Sequence, residues 1–266
     1  MKGFFDMLTM IEVLKAILFG VVEGITEWLP ISSTGHMILL DEFVKLNVSK
    51  EFLDLFLVVI QLGAILAVVV IYWNKLIPLS TKHGLHISRR KCKMWVKIIV
   101  ASIPAGVVGI LWDDVFTKYF YNYQTVAIML ILVGVVFIII ERSNKNKIAK
   151  IDSIDDISYG QAFLIGVFQM IAAIFPGTSR SGSTIVGSLM LGISRTAAAE
   201  FTFFLAVPAM FGGSAIKILK YSGGFNSAEV ALLAIGMIVA FVLSIIAIKF
   251  LMSYIKKHDF KVFGWY

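Results

Sequence analysis

Two stretches of the sequence decide the fold: residues 18–37, LFGVVEGITEWLPISSTGHM, and residues 164–183, LIGVFQMIAAIFPGTSRSGS. Both begin apolar and then break into a polar run that contains Pro, Gly and hydroxyl residues. At a constant offset of 146 residues, six of the twenty aligned positions are identical. The identical pairs are Leu18/Leu164, Gly20/Gly166, Val21/Val167, Ile25/Ile171, Pro30/Pro176 and Ser33/Ser179. The pattern indicates an internal repeat whose two copies carry the same interruption.

Five further stretches are close to the roughly 20 apolar residues that a helix needs to cross a bilayer. They are residues 52–73, 95–112, 124–140, 197–221 and 229–252. The 266 residues are 59% hydrophobic and 15% charged, whereas soluble domains have about 45–50% and about 25%. The mean hydropathy is +0.89. This composition excludes soluble and disordered proteins and predicts one all-α polytopic membrane domain.

Basic residues are concentrated in alternate loops. The loops at 74–94 and 141–158 and the segment after residue 252 are rich in Lys and Arg, whereas the loops at 113–123 and 222–228 hold only Lys118. The positive-inside rule therefore places the basic loops in the cytoplasm. This topology accounts for the net charge of +7 without a nucleic-acid partner.

Residues 11–44 and 159–193 do not fit as spans, because each half is short and each break is polar. Such backbone is tolerated at membrane depth where it is buried in protein or lines a wet cavity. We interpret both segments as re-entrant helical hairpins; two kinked helices are the alternative, but hairpins keep every basic loop on one side. Entry from opposite faces makes an inverted repeat, 1–150 and 151–266, whose tips meet near the midplane. Because the second half has one span fewer, symmetry predicts a sixth span beyond Tyr266; an imperfect repeat is the alternative.

The first tip carries two carboxylates beside serine and histidine. Glu23 and Glu27 are four residues apart and share a helix face, so they repel each other unless a cation, a proton or an Arg accompanies them. This indicates a divalent-cation site or an acid/base pair, with a buried structural pair as the alternative. Ser33 needs a base to become a nucleophile. His36, three residues on, is a candidate for that base, and a purely structural histidine is the other interpretation.

The second tip, PGTSRSGST at residues 176–184, carries hydroxyl groups and one Arg. It enters a helix, whose N-terminal N–H groups and dipole favour phosphate, here at Ser179–Ser181. Arg180 adds a planar fork suited to phosphate oxygens. Runs of small residues also serve close helix packing, but packing does not explain an Arg at membrane depth. The two tips together indicate a split phosphoryl-transfer site.

With these motifs the whole chain closely resembles the undecaprenyl-diphosphate phosphatases of the bacitracin-resistance type. The resemblance implies an inner-membrane enzyme that removes the terminal phosphate of undecaprenyl diphosphate. The product is the monophosphate carrier lipid of peptidoglycan synthesis, and the activity confers bacitracin resistance. The family's acidic motif falls on Glu23 and Glu27, its Ser/His motif on Ser33 and His36 with Ser32 adjacent, and its Arg motif on Ser179, Arg180 and Thr184. The resemblance also implies Mg²⁺ or Ca²⁺, a homodimer, an outward-facing site and one more C-terminal helix.

The mechanism we expect is hydrolysis of a lipid diphosphate that enters from the outer leaflet. Arg180 and the N–H groups near Ser179–Ser181 hold the phosphates, Ser33 attacks the terminal phosphorus and His36 shuttles the proton. Attack by His36 and direct attack by water stay open. A transporter or lipid-carrier flippase with the same inverted-repeat site is the rival function, which the Ser/His/Arg set disfavours because transport alone does not need it.

Overall fold

The computed structural model describes residues 9–80, 86–120, 122–145 and 147–266, and its regular structure is almost entirely helical. The helices are α1 (Met10–Thr26), α2 (Ser33–Phe43), α3 (Lys50–Ile71), α4 (Trp73–Leu76), α5 (Arg89–Phe120), α6 (Tyr123–Ser143), α7 (Tyr159–Ile174), α8 (Arg180–Met190), α9 (Arg195–Lys220), α10 (Ser227–Tyr254) and α11 (Lys261–Trp265). Two strands of two residues, β1 (Leu79–Ser80) and β2 (His86–Ile87), pair antiparallel with Leu79 opposite Ile87. The predicted all-α polytopic fold is confirmed.

Within the described ranges, five helices are long and apolar enough to cross a membrane. They are Lys50–Ile71, Arg89–Trp112, Tyr123–Ser143, Arg195–Lys220 and Ser227–Tyr254. These are the five predicted spans, and their ends lie within six residues of the predicted bounds. Lys82, one of the predicted basic loop residues, lies outside the described residues.

The largest difference is the start of α5, which begins at Arg89 and not near residue 95. Its first turns are polar, so hydropathy gave no signal for them. Contacts with the loop that precedes α7 stabilise these turns: Arg90 pairs with Asp155, and the Lys97 ammonium donates to the carbonyl oxygens of Ile154 (3.3 Å) and Asp155 (2.5 Å).

Helix starts are fixed by side chains that accept a hydrogen bond from the backbone N–H three residues on, which satisfies one of the free donors of the first turn. Ser158 and Asn226 form complete capping boxes with Gln161 and Glu229. The further caps of this kind outside the hairpin tips are Thr9, Ser49, Asn122 and Ser194.

The two odd segments form helix–turn–helix units, α1/α2 and α7/α8. With 17 and 16 residues, α1 and α7 are about 24–26 Å long at 1.5 Å per residue. With 11 residues each, α2 and α8 reach about 17 Å. None of these lengths crosses a hydrocarbon core of about 30 Å comfortably. Re-entrant insertion from opposite faces stays a prediction.

The two halves exchange their packing partners. The hairpin helix α1 packs on α10, the second span of the other half, and α7 packs on α5 in the same way. The first spans, α3 and α9, pack on each other. Glycines allow the closest approaches, because Gly20 lies against the Gly236 backbone and Gly166 against the Ala101 backbone. A two-fold relation between the halves would produce this exchange, which brings both tips to the centre.

We predict that Gly166→Ala destabilises the protein, because the added Cβ would lie 2.2 Å from the carbonyl oxygen of Ala101. Overpacking of this kind costs about 1–3 kcal/mol, so the midpoint of thermal unfolding in detergent falls. Gly106→Ala on α5 is the matched control, since nothing lies within 4 Å of its added Cβ and its midpoint stays or rises slightly. Equal midpoints for the two variants would contradict the close packing of α5 and α7.

Candidate active site

Both hairpin tips are built on the same local motif. Ser32 and Ser179 precede α2 and α8 with φ of +68° and +61°, and they are the non-glycine residues with positive φ in the described part of the chain. Their hydroxyls accept from the backbone N–H of Gly35 (3.3 Å) and Gly182 (3.0 Å). Such a backbone conformation costs of order 1–3 kcal/mol and persists where its surroundings enforce it. The tips are therefore fixed, strained caps.

This motif corrects the register of the repeat at the tips. The ungapped alignment paired Ser33 with Ser179, whereas the equivalent caps are Ser32 and Ser179. The cause is one extra residue in the second hairpin, because Ser179 lies 13 positions after Gly166 whereas Ser32 lies 12 positions after Gly20. An alignment without gaps does not detect it. Ser33 and Arg180 are consequently equivalent, each being the first residue of its helix.

The Glu27 carboxylate joins these two positions. The Ser33 hydroxyl donates to Glu27 Oε2 at 2.5 Å, and Arg180 Nη2 donates to Glu27 Oε1 at 2.7 Å. The Glu27 side chain is 8% exposed and that of Arg180 is 18% exposed, so water screens this ion pair little. A candidate nucleophile, a candidate base and a candidate phosphate-binding Arg therefore lie within one hydrogen-bonded cluster.

Further hydrogen bonds join the second tip to the first. The Ser181 hydroxyl is 3.3 Å from the carbonyl oxygens of Glu27 and Leu29, and it is 3.1 Å from the Ser179 hydroxyl. Ser179 and Ser181 lie at the cavity described below, as the phosphate-binding prediction requires.

Thr184 is placed differently from its prediction. It is fully buried and does not line the cavity. Its hydroxyl donates to the Arg180 carbonyl oxygen at 2.9 Å and lies 2.9 Å from the Thr202 hydroxyl. One turn into α8, its side chain faces α9 and not the tip. Thr184 therefore supports Arg180 from behind, and direct contact with phosphate is not available to it in this arrangement.

His36 does not contact Ser33 in this arrangement, although the sequence predicted that pairing. Its Nδ1 lies 2.8 Å from the Ser32 carbonyl oxygen, and its Nε2 lies 3.0 Å from the Tyr266 hydroxyl. The two rings are stacked with centroids 5.8 Å apart. The reason is helical geometry: side chains lean toward the helix N-terminus, so the ring reaches the carbonyl four residues back. The hydroxyl of Ser33 contacts Glu27 instead.

Glu23 is fully buried, and neither of its carboxylate oxygens has a hydrogen-bond partner. An isolated buried carboxylate is too costly to persist as a bare anion, so it holds a proton or faces a cation. Hard divalent cations prefer such oxygen ligands, and Glu27 lies one turn further along the same face. In the described ranges no group of three or more His, Cys, Asp or Glu forms a complete cage. The donor set therefore fits a cation that takes its remaining ligands from water and phosphate, as Mg²⁺ commonly does.

A cavity of about 200 Å³ lies between the two tips and the spans α3 and α9. Its polar wall includes Glu27, Ser33 and Arg180, and its apolar wall includes Val58 and Met210. Drug-sized ligands occupy about 300–1,000 Å³, so this cavity suits a small headgroup and not a lipid chain. The remaining lining residues are Ser32, Thr34, Gln61, Ala172, Pro176, Gly177, Ser179, Ser181, Ala209, Gly213 and Ser214.

Comparison with known proteins places this arrangement in a family. The family described as bacitracin resistance protein BacA matches residues 16–266. This chain belongs to the BacA family. An undecaprenyl-diphosphatase of Desulfitobacterium hafniense is 63% identical over 259 residues, which cover 97% of this chain and 93% of that protein. Relatives in Clostridium acetobutylicum, named undecaprenyl-diphosphatase 1 (61% identical, 96% and 93% covered), and Enterococcus faecalis, named undecaprenyl-diphosphatase (58% identical, 97% and 94% covered), are also similar.

Two polar residues of this BacA chain lie at the site, although the sequence gave them no part in it. The Thr202 carbonyl oxygen accepts from Arg180 Nη1 at 3.2 Å, and its hydroxyl contacts Thr184. Gln61 lines the cavity from α3. In both cases a polar residue inside an apolar span is the sequence feature that marks a candidate site residue. That feature alone does not indicate whether the residue lies on the side of the helix that faces the site.

We predict that Arg180→Gln destabilises this BacA protein strongly at neutral pH. Removal of the guanidinium leaves the Glu27 carboxylate buried without its counterion, and breaking a buried pair typically costs about 3–5 kcal/mol. The measurement is the midpoint of thermal unfolding in detergent at neutral pH.

Arg90→Gln is the control for this variant. Arg90 pairs with Asp155 but its side chain is 78% exposed, and exposed pairs contribute about 0–1 kcal/mol. If Arg180→Gln and Arg90→Gln unfold at the same midpoint, the buried ion pair is not a stabilising feature of the site.

Proposed function

We propose that this chain hydrolyses undecaprenyl diphosphate to undecaprenyl phosphate and inorganic phosphate. The names of its relatives, 50–63% identical over nearly the whole chain, state this activity for those proteins. The observation that carries the proposal is the convergence of Ser33 and Arg180 on Glu27 at the wall of one cavity. A hydroxyl that is hydrogen-bonded to a carboxylate can act as a nucleophile, and a neighbouring Arg can bind the phosphate that it attacks.

The first step is attack by the Ser33 hydroxyl on the terminal phosphorus. Glu27 already accepts the Ser33 hydrogen bond, so it takes the proton as the oxygen–phosphorus bond forms. The bond from the terminal phosphorus to the bridging oxygen then breaks, and undecaprenyl phosphate leaves with the electron pair. Water hydrolyses the phosphoserine and releases inorganic phosphate. In this route Glu27 takes the role first given to His36; water attacking directly in place of Ser33 is the alternative.

Arg180 has two tasks in this mechanism. Before substrate binds, it neutralises Glu27 inside the protein. The phosphate oxygens of the substrate then compete for the guanidinium, which frees Glu27 to act as a base. Charge develops on the equatorial oxygens in the transition state, and a guanidinium fixed by the Thr202 carbonyl stabilises it there. The positive-φ cap at Ser179 leaves the N–H groups at the start of α8 directed toward the same anion.

A divalent cation, Mg²⁺ or Ca²⁺, is part of the proposal. Glu23 and Glu27 would hold it, and its chemistry when bound is charge neutralisation at the diphosphate. Glu23 supports this assignment because it has two buried oxygens without a partner.

The proposed location is the bacterial cytoplasmic membrane, with the site toward its outer face. The cavity-lining residue Val58 lies in the first half of α3, and Ala209 and Ser214 lie in the last half of α9. If the basic loops are cytoplasmic, both portions lie nearer the outer face. The diphosphate enters the cavity there while the polyprenyl chain stays among the helices and membrane lipid. A homodimer stays a prediction.

The test is phosphate release from undecaprenyl diphosphate by the purified chain in detergent. We expect Ser33→Ala and Arg180→Ala to lower the turnover at least about 100-fold, the size typical for loss of a transition-state donor. Ser253→Ala is the control, because Ser253 is exposed near the end of α10, and its activity stays near wild type. If Ser33→Ala keeps near-normal turnover, Ser33 is not the nucleophile and attack by water or His36 takes its place. If Arg180→Ala keeps near-normal turnover, the clamp assignment fails.

A transporter or flippase is the second candidate, favoured by the exchanged packing of α1 with α10 and α7 with α5. Inverted repeats with broken helices are typical of alternating-access transporters. A folded protein that releases no phosphate but moves labelled carrier lipid between the leaflets of a vesicle would favour this function over hydrolysis.

We predict that Mg²⁺ or Ca²⁺ raises the midpoint of thermal unfolding and that a chelator reverses the rise. A ligand that binds only the folded state stabilises it by about 2.7 kcal/mol at 100 times its dissociation constant. Glu23→Gln abolishes the rise. Glu12→Gln does not, because Glu12 is a buried carboxylate that pairs with Lys15 and lies away from the site. A rise that survives in Glu23→Gln would remove Glu23 from the cation site.

A further inference from the structure

A second cavity of about 620 Å³ lies at the opposite ends of the spans. Its walls come from the ends of α6, α8 and α10, the start of α9 and the loop between α6 and α7. Three of its lysines belong to the basic loops that the positive-inside rule places in the cytoplasm. It shares no lining residue with the cavity between the hairpin tips and takes no part in the proposed hydrolysis.

The lining of this cavity is strongly positive. Four basic side chains, Lys147, Lys150, Arg195 and Lys256, face one carboxylate, Glu141. Glu141 is already saturated, because its oxygens accept from Arg195 at 2.5–3.1 Å and from the Phe260 N–H at 3.0 Å. The three lysines are therefore left without a carboxylate among the residues that the structure describes.

Two of the three lysines, Lys150 and Lys147, have contacts that place them at the rim of the cavity. The Lys150 backbone N–H donates to the Gly192 carbonyl oxygen at 2.9 Å. Its methylene groups lie 3.6–3.7 Å from the position of a Cβ at Gly192, so its stem follows the loop after α8. Ile151 pairs with Ile193 in a parallel bridge beside it. Lys147 donates to the Ser143 hydroxyl at 3.2 Å.

Exposed apolar side chains lie beside these charges. Ile148 is 94% exposed and Met190 is 61% exposed, and both line the same cavity. An inorganic anion would use the lysines and leave these side chains in water. An amphipathic anion satisfies both, because its phosphate contacts the lysines while its acyl chains cover the apolar residues. Basic pockets at the cytoplasmic ends of membrane helices bind lipid phosphates in this way.

We propose that this cavity binds the phosphate headgroup of an anionic phospholipid in the cytoplasmic leaflet. Lys150 and Lys256 supply the main contacts, from the α6–α7 loop and from the end of α10. The bound lipid would thereby join the two halves of the chain at the face opposite the hydrolysis site.

The test is native mass spectrometry of the full chain in mild detergent with phosphatidylglycerol, phosphatidylcholine or inorganic phosphate added. We expect phosphatidylglycerol to bind more tightly than phosphatidylcholine, and Lys150→Gln/Lys256→Gln to weaken its binding at least about tenfold, since each lysine near an anionic lipid contributes substantially. Lys145→Gln/Lys257→Gln is the matched control. It removes the same charge from neighbouring exposed positions that do not line the cavity, and we expect a change within about twofold.

Three results would overturn the proposal. If both double variants weaken phosphatidylglycerol binding equally, the lipid is attracted by the general positive charge of this surface and not by the cavity. Equal binding of the two phospholipids would exclude selection for an anion. Full displacement of phosphatidylglycerol by inorganic phosphate at equimolar concentration would mean a free-phosphate site.

Phosphate release is the control for the double variant. We expect Lys150→Gln/Lys256→Gln to release phosphate at the wild-type rate in phosphatidylcholine–detergent mixtures, which would show that its weaker lipid binding does not come from damage to the hydrolysis site.

Discussion

The Glu27 carboxylate is the constraint on which the rest of the structure depends. It lies among packed helices with only 8% of its side chain exposed, and so it needs donors from protein. Ser33 supplies one from the first hairpin and Arg180 supplies the other from the second. If a buried carboxylate and its guanidinium partner separate, each is left as an uncompensated buried charge. The two hairpin tips are therefore held together, and the spans have to approach closely enough to let them meet.

The close approach is achieved by small residues at the points where hairpins cross spans and where two spans cross each other. Gly20 contacts the α10 backbone, Gly63 contacts the Met237 carbonyl and Gly166 contacts the Ala101 carbonyl. Without a hydrophobic force between helices in lipid, backbone proximity of this kind provides the dispersion contacts. The same packing places Thr202 of α9 behind Arg180, where its carbonyl and hydroxyl stabilise the position of the guanidinium. The position of the charged group at the tip therefore depends on the packing of the spans.

The sequence predicted the parts of this arrangement that are encoded locally. Apolar length located the five spans, and Pro, Gly and hydroxyl residues located the two breaks. The start of α5 was missed because its first turns are polar and depend on Asp155, which is distant in sequence. The contacts of His36 and Thr202 depend on which neighbours α2 and α9 face once the helices have packed. The hydrophobic periodicity of the sequence does not specify those neighbours. The role of Glu27 as the common acceptor needed both tips in place, because neither tip alone shows what the other presents.

The one-residue shift at the tips explains how a repeat can make an asymmetric site. Identical caps at Ser32 and Ser179 place the first residues of α2 and α8 in equivalent positions. If both positions carried Arg, the site would have no nucleophile. If both hairpins carried the acidic pair, four carboxylates would meet beside the single guanidinium of Arg180. The chain avoids both outcomes: α1 carries Glu23 and Glu27, while α7 has Gln169 and then ends in apolar residues. Ser33 and Arg180 can then occupy matching sites while the charges of the tips complement each other.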